Sequence, residues 1–197
     1  SPLMLSGEEA DQQLVERVQK GDKRAFDVLV LKYQHRIYSL VTRFIRDPDE
    51  VQDVVQEAFI KAYRALPGFR GESAFFTWLY RIAINTAKNY LVSRARRPPG
   101  ADVDIEDAEY LESAGALRDL AGPENQLMTE QLRAVIDKAI RALPEDLRTA
   151  LTLREFEGLS YEEIAEVMRC PVGTVRSRIF RAREAVDHEI LPLIEGN

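Results

Sequence analysis

This 197-residue sequence predicts an all-α protein: two helical domains joined by an acidic linker. Three observations carry the prediction. Apolar residues recur at steps of three and four along most of the chain, and no stretch alternates apolar and polar as a half-buried strand does. The breaks are prolines and glycines spaced for helices rather than for hairpins. One break is long, since from Pro98 to Asn125 the chain is acidic, with repeated small residues, prolines and glycines. The expected boundaries are therefore 1–97, a linker over 98–124, and 125–197.

A short helix is expected over about 11–20. The next, over about 24–46, turns Phe26, Leu29, Val30, Tyr33, Ile37, Leu40, Val41 and Phe44 inward. Over about 48–66, Val51, Val54, Val55, Ala58, Phe59, Ala62 and Leu66 form one apolar stripe. Pro48 suits a first helical turn, and Asp49, Glu50 and Asp53 complement the positive helix end. Pro67-Gly68 stops that helix. After a loop over 68–72, a helix over about 73–96 sets Phe76, Leu79, Ile82, Ala83, Ala87 and Leu91 inward and leaves a basic face. Pro98-Pro99-Gly100 ends it, because proline removes a donor and restricts its predecessor. Leu111, Leu117 and Leu120 give the linker weak docking points. Further helices are expected over about 124–142, 145–157, 160–168 and 172–190, with breaks at Pro144, Gly158 and Cys170-Pro171.

Composition narrows the function. Apolar residues are 45% and charged residues 30%, as in ordinary globular domains. No apolar run approaches the ~18–20 residues of a membrane span. No basic start leads into an apolar stretch, so a cytoplasmic location is expected. Ser1-Pro2-Leu3 ahead of Met4 reads as an added leader, with Met4 the expected native start. Cys170 is the only cysteine, so no internal disulfide forms, and with His35 and His188 it makes no ordinary zinc site. No metal or cofactor is expected.

The net charge of −6 alone argues against a nucleic-acid binder. Its distribution argues otherwise. Lys61 to Arg97 holds eight basic residues and one acid, Glu72; Arg169 to Arg183 holds five basic residues and no acid. Two basic patches separated by an acidic stretch suggest two nucleic-acid contacts on one chain, although solvated helix faces give the same pattern.

The second patch has more to it than charge. Ser160 and Glu163 are spaced as a capping box ahead of Ile164, Ala165 and Met168, the expected inward face. A short turn, Arg169-Cys170-Pro171-Val172-Gly173, follows. From Thr174 a second helix sets Val175, Ile179, Ala182 and Val186 inward and Arg176, Ser177, Phe180, Arg181 and Glu184 outward. Two short helices with an arginine-rich second member make a helix-turn-helix. Arginine can give paired hydrogen bonds to a guanine edge. Pro171, Gly173 and Thr174 stand where a helix N-terminus meets a phosphate. A hairpin with arginines facing water is the plainer reading, and Phe180 on the polar face counts against it.

The first patch lies among aromatics. Phe69 to Tyr90 contains six, with Arg70, Arg81 and Lys88 between them. Unstacked bases need a π face and a nearby cation. Asn85 and Asn89 share a helix face, and their amides can read a base edge. Phe76 and Trp78 are more readily core. The preceding helix has an acidic outer face: five acids and no base from Asp47 to Ile60. Asp49, Asp53 and Glu57 repeat at spacing four, beside Gln56 and Ile60. Such a stripe docks a basic partner or is simply solvated, and the pattern alone favours the second.

Five segments resemble a known family, the bacterial RNA polymerase sigma factors. Asp53-Val54-Val55-Gln56-Glu57-Ala58-Phe59-Ile60-Lys61-Ala62-Tyr63-Arg64 resembles their polymerase-binding helix, and Thr77-Trp78-Leu79-Tyr80-Arg81-Ile82-Ala83-Ile84-Asn85 their promoter-melting helix. Leu143-Pro144-Glu145, Glu157 to Ala165 and Gly173 to Arg183 resemble their C-terminal domain. Length and two-part layout are similar to the extracytoplasmic-function group, and within it to the sigma-E/AlgU branch that serves envelope stress.

The resemblance implies that Asp53, Gln56 and Glu57, with Ile60 beside them, meet the clamp helices of core polymerase. It implies that Asn85 and Asn89, with Lys61, Ala65, Phe69 and Lys88 nearby, line a pocket for a flipped base of the −10 element. Pro171, Gly173, Thr174, Arg176, Ser177, Phe180 and Arg181 would then serve the −35 element. An anti-sigma partner that holds the protein near the inner membrane is also implied, as is a monomeric free state.

A stand-alone helix-turn-helix regulator, dimeric on a palindromic operator, is the competing reading. It leaves the asparagine and aromatic helix unexplained. An enzyme fits poorly, since no glycine-rich phosphate loop and no Ser/His/Asp grouping is present, and no catalytic residue is expected.

Overall fold

The computed structural model describes residues 7–96 and 123–195. The element order is α1 (Gly7–Gln19), α2 (Lys23–Thr42), α3 (Pro48–Ala65), a 3-10 turn (Leu66–Gly68), α4 (Phe75–Ala95), α5 (Pro123–Ala142), α6 (Glu145–Glu155), α7 (Tyr161–Met168) and α8 (Val172–Glu195). Among the described residues there is no strand. The chain divides into two compact units. Of the described residues, one takes in 7–96 and Glu162–Arg169; the other comprises 123–161 and 170–195. Of the expected linker, only Pro123 and Glu124 are described, and they open α5. Leu111, Leu117 and Leu120 lie outside the described residues.

In the first unit, local chemistry sets the helix starts. Gly21, with φ near +100°, reverses the chain after α1, a conformation a side chain would disfavour. Asp22 then caps α2, accepting the Arg24 N–H at 3.1 Å. Arg17 bonds the same carboxylate at 2.7 Å and holds it below the usual aspartate range. Asp47 caps α3, accepting the Asp49 N–H at 3.0 Å. Asp47 was not among the acids expected to start that helix.

Two expectations shift. α2 ends at Thr42 rather than near 46; Phe44 and Ile45 are buried from the turn beyond it, and Val30 is only half-buried. On α4 the buried set is Phe75, Thr77, Leu79, Tyr80, Ala83, Ile84, Thr86 and Ala87, whereas Phe76, Ile82 and Leu91 are half-buried. The reason is tertiary. α4 packs against α1, α2 and α3, so it is buried round a wide arc and no single 3.6-residue stripe describes it.

A polar knot joins α1 to α2. Asp11, 2% exposed, accepts the Tyr33 hydroxyl and the Lys32 ammonium, the latter at 2.6 Å. Arg36 lies over the Tyr33 and Tyr80 rings, 5.9 and 5.8 Å from their centroids. Burial and the bond to Asp11 push the Tyr33 hydroxyl above the ordinary tyrosine range. A raised pKa stabilises the fold below the unfolded value, about pH 10, and that contribution is lost as pH rises. In an alkaline titration followed by tyrosinate absorbance, at least one tyrosine should stay protonated until the chain unfolds. Tyr33→Phe should shrink that late phase by one equivalent. A Tyr33→Phe titration identical to wild type would contradict this burial.

The second unit centres on Ala139 and Ile140 from the end of α5, Leu143 just beyond it, Leu151 from α6, and Ala182 and Val186 from α8, with Ile136, Leu147 and Ile190 packed around them. α6 closes through Gly158, whose φ near +68° lets the Leu159 N–H reach the Leu153 carbonyl at 3.0 Å. The four expected inward residues of α8, Val175, Ile179, Ala182 and Val186, are all buried. On α7, which apart from Tyr161 groups with the first unit, the buried pair is Ile164 and Val167; Ala165 and Met168 are half-buried. α8 begins at Val172, where the last helix is expected to start, and runs past the expected end near 190, through Pro192 to Glu195.

Candidate nucleic-acid interface

α3 and α4 run antiparallel. A short loop joins the end of α3 to the start of α4, and Arg94 bonds Glu50 at 3.1 Å where the other two ends meet. Asn85 lies nine residues before Arg94 and Phe59 nine after Glu50, so the two stand at about the same height, with Lys61 a half-turn on. Asn85 and Asn89 are exposed one turn apart on α4, and Lys88 is half-buried. Lys61 pairs with Glu57 at 3.2 Å, an exposed i,i+4 contact of small energetic weight.

Ala65 and Phe69 belong to the other end of the same hairpin. The Phe69 ring sits 4.9 Å from Trp78 and 6.3 Å from Phe75, and Phe75 in turn is 5.8 Å from Tyr33. Trp78 and Phe76 are half-buried rather than core. At 1.5 Å per residue, Asn89 lies about 16 Å along α4 from Trp78. These six residues therefore form a track rather than one pocket. Asn85, Lys88 and Asn89 occupy about one turn near the middle of α4, Lys61 stands on α3 near the height of Asn85, and Ala65 and Phe69 lie at the aromatic end.

Asp53, Gln56, Glu57 and Ile60 are all exposed on α3, with Ile60 at 44%. Gln56 and Ile60 also line a groove of about 870 Å³ between α2 and α3, whose apolar lining includes Phe26, Val30, Val55 and Tyr63. Sequence reading missed this groove because Phe26, Val30 and Val55 count as core by periodicity. The 44% exposure of Ile60 and the 38% of Tyr63 are the signals that mark it.

In the second unit, Arg176 and Arg181 are exposed on α8, Ser177 is half-buried, and Phe180 is 63% exposed. Arg181 donates to the Ser177 hydroxyl at 2.7 Å. The Arg176 guanidinium lies 5.7 Å from the Tyr161 ring centroid, and Arg154 lies 4.8 Å from the same ring. Tyr161 is thus a platform that the sequence hid, because it stands inside the capping-box motif. The basic patch is smaller than a count of arginines suggests. Arg178 meets Asp146 at 3.6 Å and the half-buried Cys170 thiol at 3.6 Å, and Arg183 Nε meets Glu155 at 2.9 Å.

The turn before α8 needs one correction. Pro171 has no N–H, and its carbonyl accepts the Thr174 and Val175 amides at 3.0 and 3.2 Å. Pro171 therefore offers no donor and the Thr174 amide is committed. Gly173 is exposed there, and the half-buried Thr174 keeps its hydroxyl. Arg169, with φ near +53°, makes the left-handed bend that ends α7.

An exposed arginine and phenylalanine face on the second helix of a helix-turn-helix, with an asparagine and aromatic track on a separate unit, defines a two-part helical nucleic-acid-binding protein. Comparison with known proteins narrows the class. A family model described as "Sigma-70 region 2" matches residues 29–97, and one described as "Sigma-70, region 4" matches residues 133–186. The RNA polymerase sigma-H factor of Pseudomonas aeruginosa is 68% identical over 187 residues, covering 95% of this chain and 97% of that protein. The ECF RNA polymerase sigma-E factor of Escherichia coli K12 is 64% identical over 190 residues, covering 96% and 99%. Among solved structures, CnrH in complex with the cytosolic domain of CnrY is similar at a TM-score of 0.67 and 27% identity, covering 91% of this chain and 96% of that one. The chain belongs to the extracytoplasmic-function RNA polymerase sigma factors, and it acts with core RNA polymerase in promoter-specific transcription initiation. No helix among the described residues is long and apolar enough to cross a membrane.

Proposed function

We propose a division of labour in which the first unit both docks on polymerase and opens the promoter, while α8 reads the −35 element. The observation that carries it is that one hairpin presents two sets of exposed residues, which adjoin at the Glu57–Lys61 ion pair. Asp53, Gln56, Glu57 and Ile60 form an exposed acidic and apolar face on α3. Lys61, Ala65, Phe69, Asn85, Lys88 and Asn89 form the track along α3 and α4. The first face suits the clamp helices of core polymerase. The second suits unstacked −10 bases, with π surface at one end and amides and cations at the middle. Its length matches several nucleotides at about 3.4 Å each, so the asparagines and Phe69 contact different positions of the element.

In the second unit, Arg176, Ser177, Phe180 and Arg181 face the −35 major groove, and Gly173 and Thr174 hold a phosphate. Tyr161 supports the Arg176 guanidinium before DNA arrives. The boundaries 1–97, 98–124 and 125–197 and a monomeric free state belong to the same reading. So do a cytoplasmic location, envelope-stress promoters and an anti-sigma partner that tethers the protein near the inner membrane. The likeness to CnrH, whose solved structure holds the cytosolic domain of CnrY, supports a partner of that kind.

Charge supports a two-contact mechanism. The acidic stretch and the pairing of Arg178 and Arg183 leave each basic patch modest. The isolated protein should bind duplex weakly, and docking on polymerase would convert two weak contacts into one bivalent contact. Run-off transcription with purified core polymerase on a mixed promoter library tests the whole reading. Start sites should appear only with the protein present, and their aligned sequences should give both elements. No stimulation, together with failure to co-elute with core, would overturn it. Arg176→Ala should cost about 1–3 kcal/mol at one −35 base pair. A uniform loss across all sequences would make Arg176 a phosphate contact instead.

A further inference from the structure

The loop that carries Phe69 is held from a helix outside the segment that the region 2 family model matches. Gln19, the last residue of α1, donates from its side-chain Nε2 to the Leu66 carbonyl at 3.1 Å and to the Phe69 carbonyl at 2.8 Å. A primary amide nitrogen carries two hydrogens, so one side chain bonds both ends of the 3-10 turn. The Phe69 N–H closes the same turn on Leu66 O at 3.0 Å. Leu66 is fully buried and anchors one end; Phe69 is half-buried, and its ring meets Trp78 and Phe75 at the other. The next bend, Gly71 with φ near +75°, also faces α1, with the Gln12 carboxamide 3.8 Å from where a Cβ would stand.

We infer that Gln19 is a positioning residue for −10 recognition: its two hydrogen bonds fix the turn that presents Phe69. The inference rests on the reading that the Phe69 end of the track receives a base. The geometry makes the chemical requirement specific. A side chain that donates twice from one atom is needed. Glutamate has nearly the same shape but only accepts, and would set a carboxylate against two carbonyl oxygens. The bond to Phe69 is exposed and the bond to Leu66 partly buried, so they add modestly to global stability, yet they remove freedom from a loop whose ring must be placed before a base arrives.

The test uses holoenzyme assembled with full-length chain, and a single-stranded oligonucleotide carrying a −10 element from a promoter mapped by run-off transcription. The readout is the ratio of affinities for that oligonucleotide and for one with the element substituted. Gln19→Glu should lower the ratio about five- to tenfold, the size of two neutral hydrogen bonds, and Gln19→Ala somewhat less. Binding to the substituted oligonucleotide and co-elution with core should stay unchanged. Equal loss on both oligonucleotides, with a lowered melting temperature, would make Gln19 merely structural and overturn the inference. Phe69→Ala and Asn85→Ala run alongside. If both collapse the ratio while both Gln19 variants keep it, the positioning role is wrong and the base track stands. If neither collapses it, the base track itself is wrong, and the positioning role falls with it.

Discussion

Replacing Asn85 and Asn89 together by alanine should abolish promoter opening while leaving polymerase binding intact. Both amides are exposed, one turn apart on α4, with Asn85 near the height of Lys61. Each amide that reads a base edge is worth about 1–3 kcal/mol of discrimination, so losing both should lower open-complex formation about a hundredfold. Extruding a base costs a few kcal/mol, and these contacts help to offset it. Because Asp53, Gln56, Glu57 and Ile60 lie on α3 and are untouched, co-elution with core polymerase should not change. Run-off from duplex templates measures the loss. A template with a pre-opened −10 region should recover part of it, since the unpairing cost is then absent. Wild-type transcription from duplex by the double variant would remove the asparagines from the mechanism. Joint loss of transcription and polymerase binding would point to a misfolded unit instead.

The largest stability effect should come from Asp11→Ala. The carboxylate is 2% exposed and accepts from both Tyr33 and Lys32. Its removal strands a buried hydroxyl and leaves an ammonium without its partner. Breaking a fully buried pair costs about 3–5 kcal/mol; Lys32 is 37% exposed and can rehydrate, so about 3 kcal/mol is expected here. Tyr33→Phe keeps the ion pair and loses one hydrogen bond, so it should cost only about 1–2 kcal/mol. Chemical denaturation of the three proteins orders them. A loss for Asp11→Ala no larger than for Tyr33→Phe would mean that the Lys32 contact contributes nothing.

What the amino-acid sequence determined alone is what nearest-neighbour chemistry controls. The helices of the described residues, the proline and glycine stops, and the α8 face with Val175, Ile179, Ala182 and Val186 buried follow from spacing. The pattern suffices there because each such helix buries one side. Exposed Phe180 between Arg176 and Arg181 was legible for the same reason.

Tertiary packing decided the rest. It rotated the buried arc of α4, because a helix packed on three others has no single apolar stripe. It left the groove between α2 and α3 open beside residues that periodicity assigns to the core. It paired Arg178 with Asp146 and Arg183 with Glu155, contacts 32 and 28 residues apart that a local charge count cannot see. It also spread the −10 candidates along a track and set Gln19 on a turn 47 residues away. Contacts between residues distant in sequence depend on where whole helices lie, and no local spacing encodes that.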